Sequence, residues 1–503
     1  MLCENKADGG GILYQHTIYK EYLMKTKKSL LVLPAIALVF ALVFTTCSNG
    51  GGGGGGRQDN SSGSVRFNLT GAKAIAAAQG GSGSGRAVNG SGNGLFKLLE
   101  NGSFESIVSG NNEIPAIQFL ARSPVEGKKD IYISFWDGAW GAGGRKINST
   151  LVHVKEDGSV VNILESWDSF LEEAERDTSP VVFDRYGNMY FRVHGSSHSN
   201  SIYKYNPVTG KKEQLVPAVS NIFYRKIAVS PDGSYLIVDG NQYKSGGDVE
   251  CFTRIIPTAN PQNMVEQIIV VLTYHDDGSL WGYGISLAYA FGQRNELYVS
   301  GEKIFGDENK NGVYKVSYEG LSPNEWQWEK LFDAQEKGYN FGSIFILFVA
   351  PDNSVWGNNG SIARIINSNE QPDFYQATDS YDPMLTPNGL RADVNIPFKP
   401  SASHLYFEMF TGDNVGYNNI YRVSYNNPSS AQNVFSGITR NTQSMYVINF
   451  DIGGDYLYFS AVEDPLWTDT GLMGDFFNGK INLTTLEYTE LEFSWKITAL
   501  VTY

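Results

Sequence analysis

The sequence predicts an all-β repeat fold, and three observations carry that prediction. A polar turn followed by a short aromatic or aliphatic strand recurs seven times, at spacings of 46 to 62 residues. A second strand, in which apolar residues alternate with Lys, Arg or His, follows most copies 12 to 25 residues later. Aromatic residues are abundant, with 29 Tyr, 28 Phe and 9 Trp, and Gly and Asn cluster between them, a usage that favours short strands and tight turns. Four strands in roughly 50 residues, repeated without intervening helices, is the pattern of a β-propeller blade.

The repeat can be followed in order. Its turn and strand read Lys129-Asp130-Ile131-Tyr132-Ile133 in the first copy and Ser230-Pro231-Asp232-Gly233-Ser234-Tyr235-Leu236 in the third. Taking Tyr132, Tyr190, Leu236, Tyr298, Trp356, Tyr406 and Tyr458 as equivalent aligns the seven copies. The alternating strand that follows reads Leu151-Val152-His153-Val154, Val313-Tyr314-Lys315-Val316 and Ile420-Tyr421-Arg422-Val423, with the period of a half-buried strand. Asp157-Gly158 then signals a hairpin into a fourth strand. Two fragments are left over: 95–108 reads as the last two strands of a blade and 495–503 as a first strand. Joined in one composite sheet, they would close the ring and remove its free edges. About seven four-stranded blades are expected, with eight as the alternative.

Ahead of the repeats the chain changes character. Met24-Lys25-Thr26-Lys27-Lys28 precedes a nearly unbroken apolar stretch, Leu30 to Phe44, which is followed by Thr45-Thr46-Cys47. That is the layout of a secretory signal peptide. As a helix the apolar stretch spans about 22 Å, short of a ~30 Å hydrocarbon core. Seven glycines, Gly50 to Gly56, follow the expected cut. Residues 1–23 read as an upstream extension from a misassigned start, 24–46 as the signal, 47–94 as a Gly/Ser-rich flexible tether and 95–503 as the propeller. Within the tether, 64–78 reads either as a strand or as a short helix.

The position of Cys47 resembles the lipobox of bacterial lipoproteins, with Phe44 in place of the usual leucine and Thr46 in place of the usual small residue; relaxed boxes of this kind resemble those of spirochaetes. The resemblance implies that Cys47 is lipidated and becomes the first residue of the mature chain. With Ser48 behind it, an outer-membrane address is expected. The turn at Ser230-Pro231-Asp232-Gly233 resembles those of WD40-like and TolB-like propellers, and Asp277-Gly278-Ser279-Leu280-Trp281 those of sensor-associated propellers. Propellers of these kinds mostly bind ligands or proteins, and a number are enzymes.

Composition narrows the function classes. The net charge is −14, and residues 1–46 carry five lysines against three acidic residues, so the rest is more acidic still. Such a chain offers no electrostatic footprint for nucleic acid. Cys3 precedes the signal and Cys47 is the expected lipid site, which leaves Cys251, expected as a small buried side chain, and so no internal disulfide.

The site candidates are few. Aromatic residues near loop ends, Trp136, Trp140, Trp281, Tyr283, Trp356 and Trp467, would serve as protein anchors or sugar platforms if exposed and as packing between blades if not. Asp307, Asn309 and Asn311, with Gly312 at the sixth position, match the first half of a calcium loop, but Lys315 and Tyr318 replace the later ligands. Calcium is therefore a secondary expectation beside a plain hairpin, and no other cofactor is expected. His194 and His198 lack a third metal ligand nearby, and Glu172, Glu173, Glu175 and Asp177 read as a solvated charge run. No catalytic residue is singled out. The reading is a lipid-anchored, monomeric envelope protein whose propeller binds a protein or carbohydrate without catalysis. The alternative is a propeller lyase or hydrolase acting on sugars or peptides at the mouth of the central channel.

Overall fold

The computed structural model describes residues 67–79, 93–107, 117–135, 151–164, 181–195, 199–244, 248–274, 280–284, 287–301, 304, 312–332, 346–358, 362–376, 391–392, 399–410, 418–428, 431–438, 445–468, 471–493 and 496–502. The chain divides into two compact units, residues 1–63 with 274–281, and residues 64–273 with 282–503. In the first unit only residues 274, 280 and 281 are described, all in strands. The second holds the repeats.

Eight antiparallel sheets form among the described residues. In seven of them four strands, a to d, succeed one another along the chain as a blade, the third sheet having a fifth strand, Leu280–Gly284, as well. The first blade comprises Ile117–Arg122, Ile131–Phe135, Leu151–Val154 and Val160–Leu164. The second comprises Val181–Phe183, Met189–Gly195, Ser199–Asn206 and Lys211–Val216. In the third, Ile222–Val229, Tyr235–Tyr243, Val249–Pro257 and Val265–Tyr274 are longer. The fourth is Leu287–Phe291, Glu296–Gly301, Gly312–Ser317 and Gln327–Phe332, and the fifth is Ile346–Val349, Val355–Asn358, Ile362–Ile366 and Pro372–Gln376. The sixth has its inner strand in two pieces, Arg391–Ala392 and Lys399–Pro400, beside His404–Phe410, Asn418–Ser424 and Gln432–Asn433. The seventh is Met445–Gly453, Tyr456–Thr468, Gly471–Asn482 and Tyr488–Leu491.

The eighth blade is composite, so of the two expected counts, seven and the alternative eight, it is eight that holds. Its strand a is Lys496–Thr502 from the end of the chain, paired with Ala74–Gln79 as strand b. Asn93–Leu98 and Phe104–Ser106 complete it as strands c and d. The undecided segment 64–78 therefore contributes a strand, and the folded region starts ahead of Leu95. Phe67, the first described residue, donates its backbone N–H to the Gly158 carbonyl at 3.0 Å. Gly158 sits at φ +79°, and a Cβ there would stand 2.0 Å from the Phe67 carbonyl oxygen, so the predicted Asp157-Gly158 turn doubles as the dock for the N-terminal end.

Eight buried clusters lie one in each gap between neighbouring blades. Leu120, Ile131 and Val152 of the first blade meet Ile75, Ala77 and Leu95 of the eighth. On the other side of the composite strand Ala74, Ala76 and Ala78 meet Tyr458 and Leu491 of the seventh. Trp356 joins the fifth to the sixth among Leu405, Phe407 and Val423, and the remaining gaps are filled in the same way. Eight gaps for eight sheets make a closed propeller. The alignment taken from the sequence holds for Tyr132, Tyr190, Tyr298, Trp356, Tyr406 and Tyr458, all buried on strand b. It is off by one at Leu236. The turn before it closes five residues apart, from the Ser230 N–H to the Tyr235 carbonyl, where the second, fourth and fifth blades close four apart. Ile237 therefore faces the next blade and Leu236 the previous one.

Removing residues 496–503 takes away the inner strand of the eighth blade and the buried Ile497, Leu500 and Val501, each contributing roughly 1.5–3 kcal/mol. The truncated chain is expected to lose cooperative thermal unfolding and to aggregate through its bared edge. Calorimetry and size-exclusion chromatography on the two chains check this, and a truncated chain that melts as the full one does would disprove the closure.

Candidate functional site

In an up-and-down blade the a–b and c–d turns lie at one end and the b–c connections at the other. The a–b end is locked by short hydrogen-bonded turns. Asp184 receives the backbone N–H groups of Tyr186 and Asn188 at 3.0 and 2.9 Å, the Asn188 side-chain amide at 2.8 Å and the Tyr190 hydroxyl at 3.1 Å. Asp352 holds Ser354 in the fifth blade, and the Ser354 hydroxyl accepts the Trp356 indole N–H at 2.8 Å. Asp232 is likewise surrounded by Ser230 and Ser234.

The residue that closes each of these turns can be compared between blades. Asp130, Asn188, Tyr235, Ser354 and His404 all have partners: Asp130 accepts the Glu156 N–H, Tyr235 donates to the Leu321 carbonyl, and His404 contacts the Ser403 hydroxyl at 2.8 Å. Glu296 differs. It is 5% exposed and neither carboxylate oxygen has a hydrogen-bond partner. Its carboxyl group folds over Gly292, where a Cβ would come within 2.5 Å of Glu296 Cδ. Tyr298 and Ser300, two and four residues further along the strand, also keep unpartnered hydroxyls.

Between the first and second blades lies a row that looks like an acid–base relay. His153 Nδ1 is 3.1 Å from the Tyr205 hydroxyl, and His153 Nε2 is 3.1 Å from Asp130 Oδ2, too poorly aligned there for a hydrogen bond. The imidazole stacks on the Tyr132 ring with centroids 4.8 Å apart. Burial lowers the His153 pKa below its ordinary 6.5 and outweighs the attraction of Asp130. Burial and the nearby Asp130 raise Tyr205 to about 12, and burial raises Tyr132 further. A relay must reach substrate, whereas His153 and Tyr205 are each 1% exposed. The row ties two blades together with uncharged groups.

A second polar row joins the second and third blades. Arg254 is paired with Glu266, donates to the Tyr224 hydroxyl at 3.0 Å and lies 4.1 Å over the Phe252 ring. Arg192, buried to 6% exposure, donates Nη1 to the Tyr224 backbone carbonyl, and its Nε has no partner.

The b–c end is built differently. In the seventh blade, strands b and c continue as a ribbon past the point where other strands flank them. Strand a follows strand b only to the Met445–Glu463 pair, and strand d follows strand c only to Asn478–Leu491. Beyond these, Leu466 pairs with Met473, Trp467 with Leu472 and Thr468 with Gly471. No third strand pairs with those rows among the described residues. These rows carry Leu466, Trp467, Leu472 and Met473, four apolar residues.

The candidates from the sequence fall out as follows. Trp467 is in the backbone of this ribbon. Trp281 and Tyr283 lie on the strand Leu280–Gly284. Trp356 is fully buried at 0% exposure and packs between blades, so it is no ligand platform: its indole fills the gap to the sixth blade. Trp136, Trp140, Asp307, Asn309, Asn311, Cys47, His198 and the acidic run 172–177 lie outside the described residues, and His194 is placed on a strand by its backbone alone. Cys251 is half-buried rather than buried. Sequence reasoning missed Arg192 and Glu296. Arg192 stands two residues beyond the anchor Tyr190, where the first, fourth and seventh blades have Ser134, Ser300 and Ser460, and that mismatch is the signal that could have exposed it.

No family model matches the chain, and neither does any curated protein. Among solved structures it is similar to the dipeptidyl peptidase 4 of Porphyromonas gingivalis, with 8% identity over 80% of this chain and 58% of that one and a TM-score of 0.43. It is similar also to a 6-phosphogluconolactonase homologue from Bacteroides fragilis, with 13% identity, 86% and 99% coverage and a TM-score of 0.38. The WD40 repeats of RRP9 match at 13% identity over 64% and 81%, with a TM-score of 0.33. The chain spans about half the length of the prolyl endopeptidase and acylaminoacyl peptidase structures it matches, 50% and 52%. At these identities and scores the matches say nothing of what the chain does, and the propeller rests on its eight sheets and the eight cores between them.

His153 sets a pH dependence. Its folded pKa is depressed, so the stability that comes from keeping it neutral is complete above pH about 6.5, the unfolded value, and is lost as pH falls from there toward the folded value. The melting temperature is expected to fall between pH 7.5 and 5.5, and His153→Gln to flatten that slope. Equal slopes in scanning calorimetry would show that His153 is not the titrating group.

Proposed function

We propose that this chain is a lipid-anchored bacterial envelope protein whose propeller is a non-catalytic binding module for a protein or carbohydrate. Cys47 carries the lipid and holds the chain to the membrane, most simply the outer membrane. The Gly/Ser-rich segment behind it is the tether, and a ~45-residue chain of that type reaches about 35–40 Å. The propeller acts as a monomer at the end of that tether.

The observation that carries the binding reading is the ribbon of the seventh blade. The ring is closed by the composite sheet and by the cores between blades, so an apolar tip of Leu466, Trp467, Leu472 and Met473 on unflanked strands has no part in closing the propeller. Aromatic and aliphatic anchors of this kind supply most of the energy of an interface. The neutral, enclosed His153 and Tyr205 support the same reading, because the row that looks like an acid–base relay is committed to joining blades.

Two measurements test the two halves. Metabolic labelling with a fatty acid in a bacterial host is expected to label the full chain and not Cys47→Ala, with the mature chain starting at Cys47 by intact mass; label retained in Cys47→Ala sinks the anchor. For the binding half, a photo-crosslinking residue is placed at position 467 or at 208, an 88% exposed position on a c–d turn at the opposite end. In envelope preparations position 467 is expected to give a discrete adduct and position 208 none. Adducts at both positions or only at 208 would place the contact elsewhere.

A further inference from the structure

The two arginines between the second and third blades make an internal comparison. Both are buried, Arg192 at 6% and Arg254 at 8% exposure, and both reach Tyr224. Arg254 has everything a buried guanidinium requires: a carboxylate from Glu266, a phenol oxygen and an aromatic face. Arg192 has one backbone carbonyl. Among the described residues no acidic side chain pairs with it, and its Nε is left without an acceptor.

An uncompensated buried ion costs several kcal/mol, and a guanidinium cannot escape the cost by releasing its proton at neutral pH. Burial lowers the Arg192 pKa only to about 10, so it stays charged. The Nε edge of a guanidinium, with the adjacent terminal nitrogen, is the fork that takes two oxygens of a carboxylate, sulfate or phosphate side by side. Arg192 is the middle residue of its seven-residue strand, and its Nη1 reaches the Tyr224 carbonyl on the side of the b–c connection. Tyr224 lies at the start of its own strand a, at the same end. This is the end at which the seventh-blade ribbon projects.

We propose that Arg192 receives an oxyanion group, the carboxylate, sulfate or phosphate of a ligand bound at the b–c end of the propeller. Nε and the neighbouring edge of the guanidinium hold two of its oxygens, while Nη1 remains on the Tyr224 carbonyl and fixes the plane of the fork. Arg254, already neutralised by Glu266, takes no part. The assignment rests on the binding reading above and names the charged group that reading leaves open. It is tested with small free anions, so the absence of a crosslinked partner at position 467 does not bear on it.

The experiment is thermal unfolding of the full chain, titrated with sodium sulfate, phosphate or acetate against sodium chloride at matched ionic strength. The wild type is expected to show a saturable rise in melting temperature in at least one oxyanion. Arg192→Met, which keeps the volume and removes the charge, should lack that rise while melting no lower than the wild type in chloride. Arg192→Lys, which keeps the charge and loses the fork, should bind the anion about tenfold more weakly. No saturable rise in the wild type, or the same rise in Arg192→Met, overturns the proposal. Should Arg192→Met fail to fold, Arg192→Lys decides: an affinity equal to that of the wild type overturns it.

Discussion

Everything in this molecule depends on closure of the ring through a strand borrowed from the far end of the chain. A blade buries both faces against its neighbours, so the first blade has no complete core until the eighth exists. That eighth blade pairs Ala77 with Ala499, and Thr498 Oγ1 donates to the Ala77 carbonyl across 421 residues of sequence at 3.3 Å. Arg122 of the first blade reaches the Thr502 carbonyl at 3.2 Å, and Thr502 is bonded in turn to Asp451 of the seventh. Three consecutive blades are thus bound through one short strand. The separation in sequence costs little at equilibrium, since each doubling of a loop adds only about 0.6 kcal/mol. What it supplies, a buried core on each face of the eighth blade, is the larger effect.

The strand at the joint is made of alanines for a reason visible in the packing. Ala74, Ala76 and Ala78 face the seventh blade, and Ile75 and Ala77 face the first. Elsewhere strand b carries a large ring into one gap, as Tyr132, Tyr190, Tyr298 and Trp356 do. At the joint the neighbours supply the bulk instead, with Tyr458 on one side and Leu120 and Ile131 on the other. Small side chains let the strand fit between two blades whose own side chains fill the gaps.

That choice is also why the sequence was misleading there. A run such as Ala74-Ile75-Ala76-Ala77-Ala78 has good helix propensity and a weak strand signal, and only pairing with the distant 496–502 makes it a strand. The repeat itself was legible because aromatic anchors recur at fixed distances from polar turns. So were the Asp157-Gly158 turn and the closure by joined ends. The blade count was not, because the joint lacks the aromatic marker. Leu236 was misplaced by one residue because Ser230 to Tyr235 spans an extra residue while Gly233 sits where Gly187 does, and spacing alone cannot show which face a residue takes. Trp356 failed as a surface candidate for a related reason: glycine beside tryptophan suggested a loop, but Gly357 and Trp356 both lie on strand Val355–Asn358. Arg192 was hidden because an arginine on an alternating strand reads as a solvated face. Its burial comes from the neighbouring blade, which no local pattern contains.

The two ends of the propeller therefore have different freedom. At the a–b end, carboxylates such as Asp184 and Asp352 are saturated by their own turns, so most changes there cost stability. At the other end strands b and c are separated by 3 residues in the second blade and by 15 in the first, and in the seventh they run on as a ribbon. Variation is tolerated where it does not disturb closure, and the ribbon of the seventh blade lies on that side, as does the Tyr224 carbonyl that Arg192 reaches. Electrostatics fits this division. A chain of net charge −14 repels an anion at long range, and at physiological salt that repulsion is screened within about 8 Å. A guanidinium enclosed between blades is screened far less and acts only at contact. An acidic protein can therefore remain soluble and still capture an acidic group, provided the cation is local, buried and left without a carboxylate of its own. Arg254, with Glu266 beside it, lacks the last of these conditions, and Arg192 meets all three.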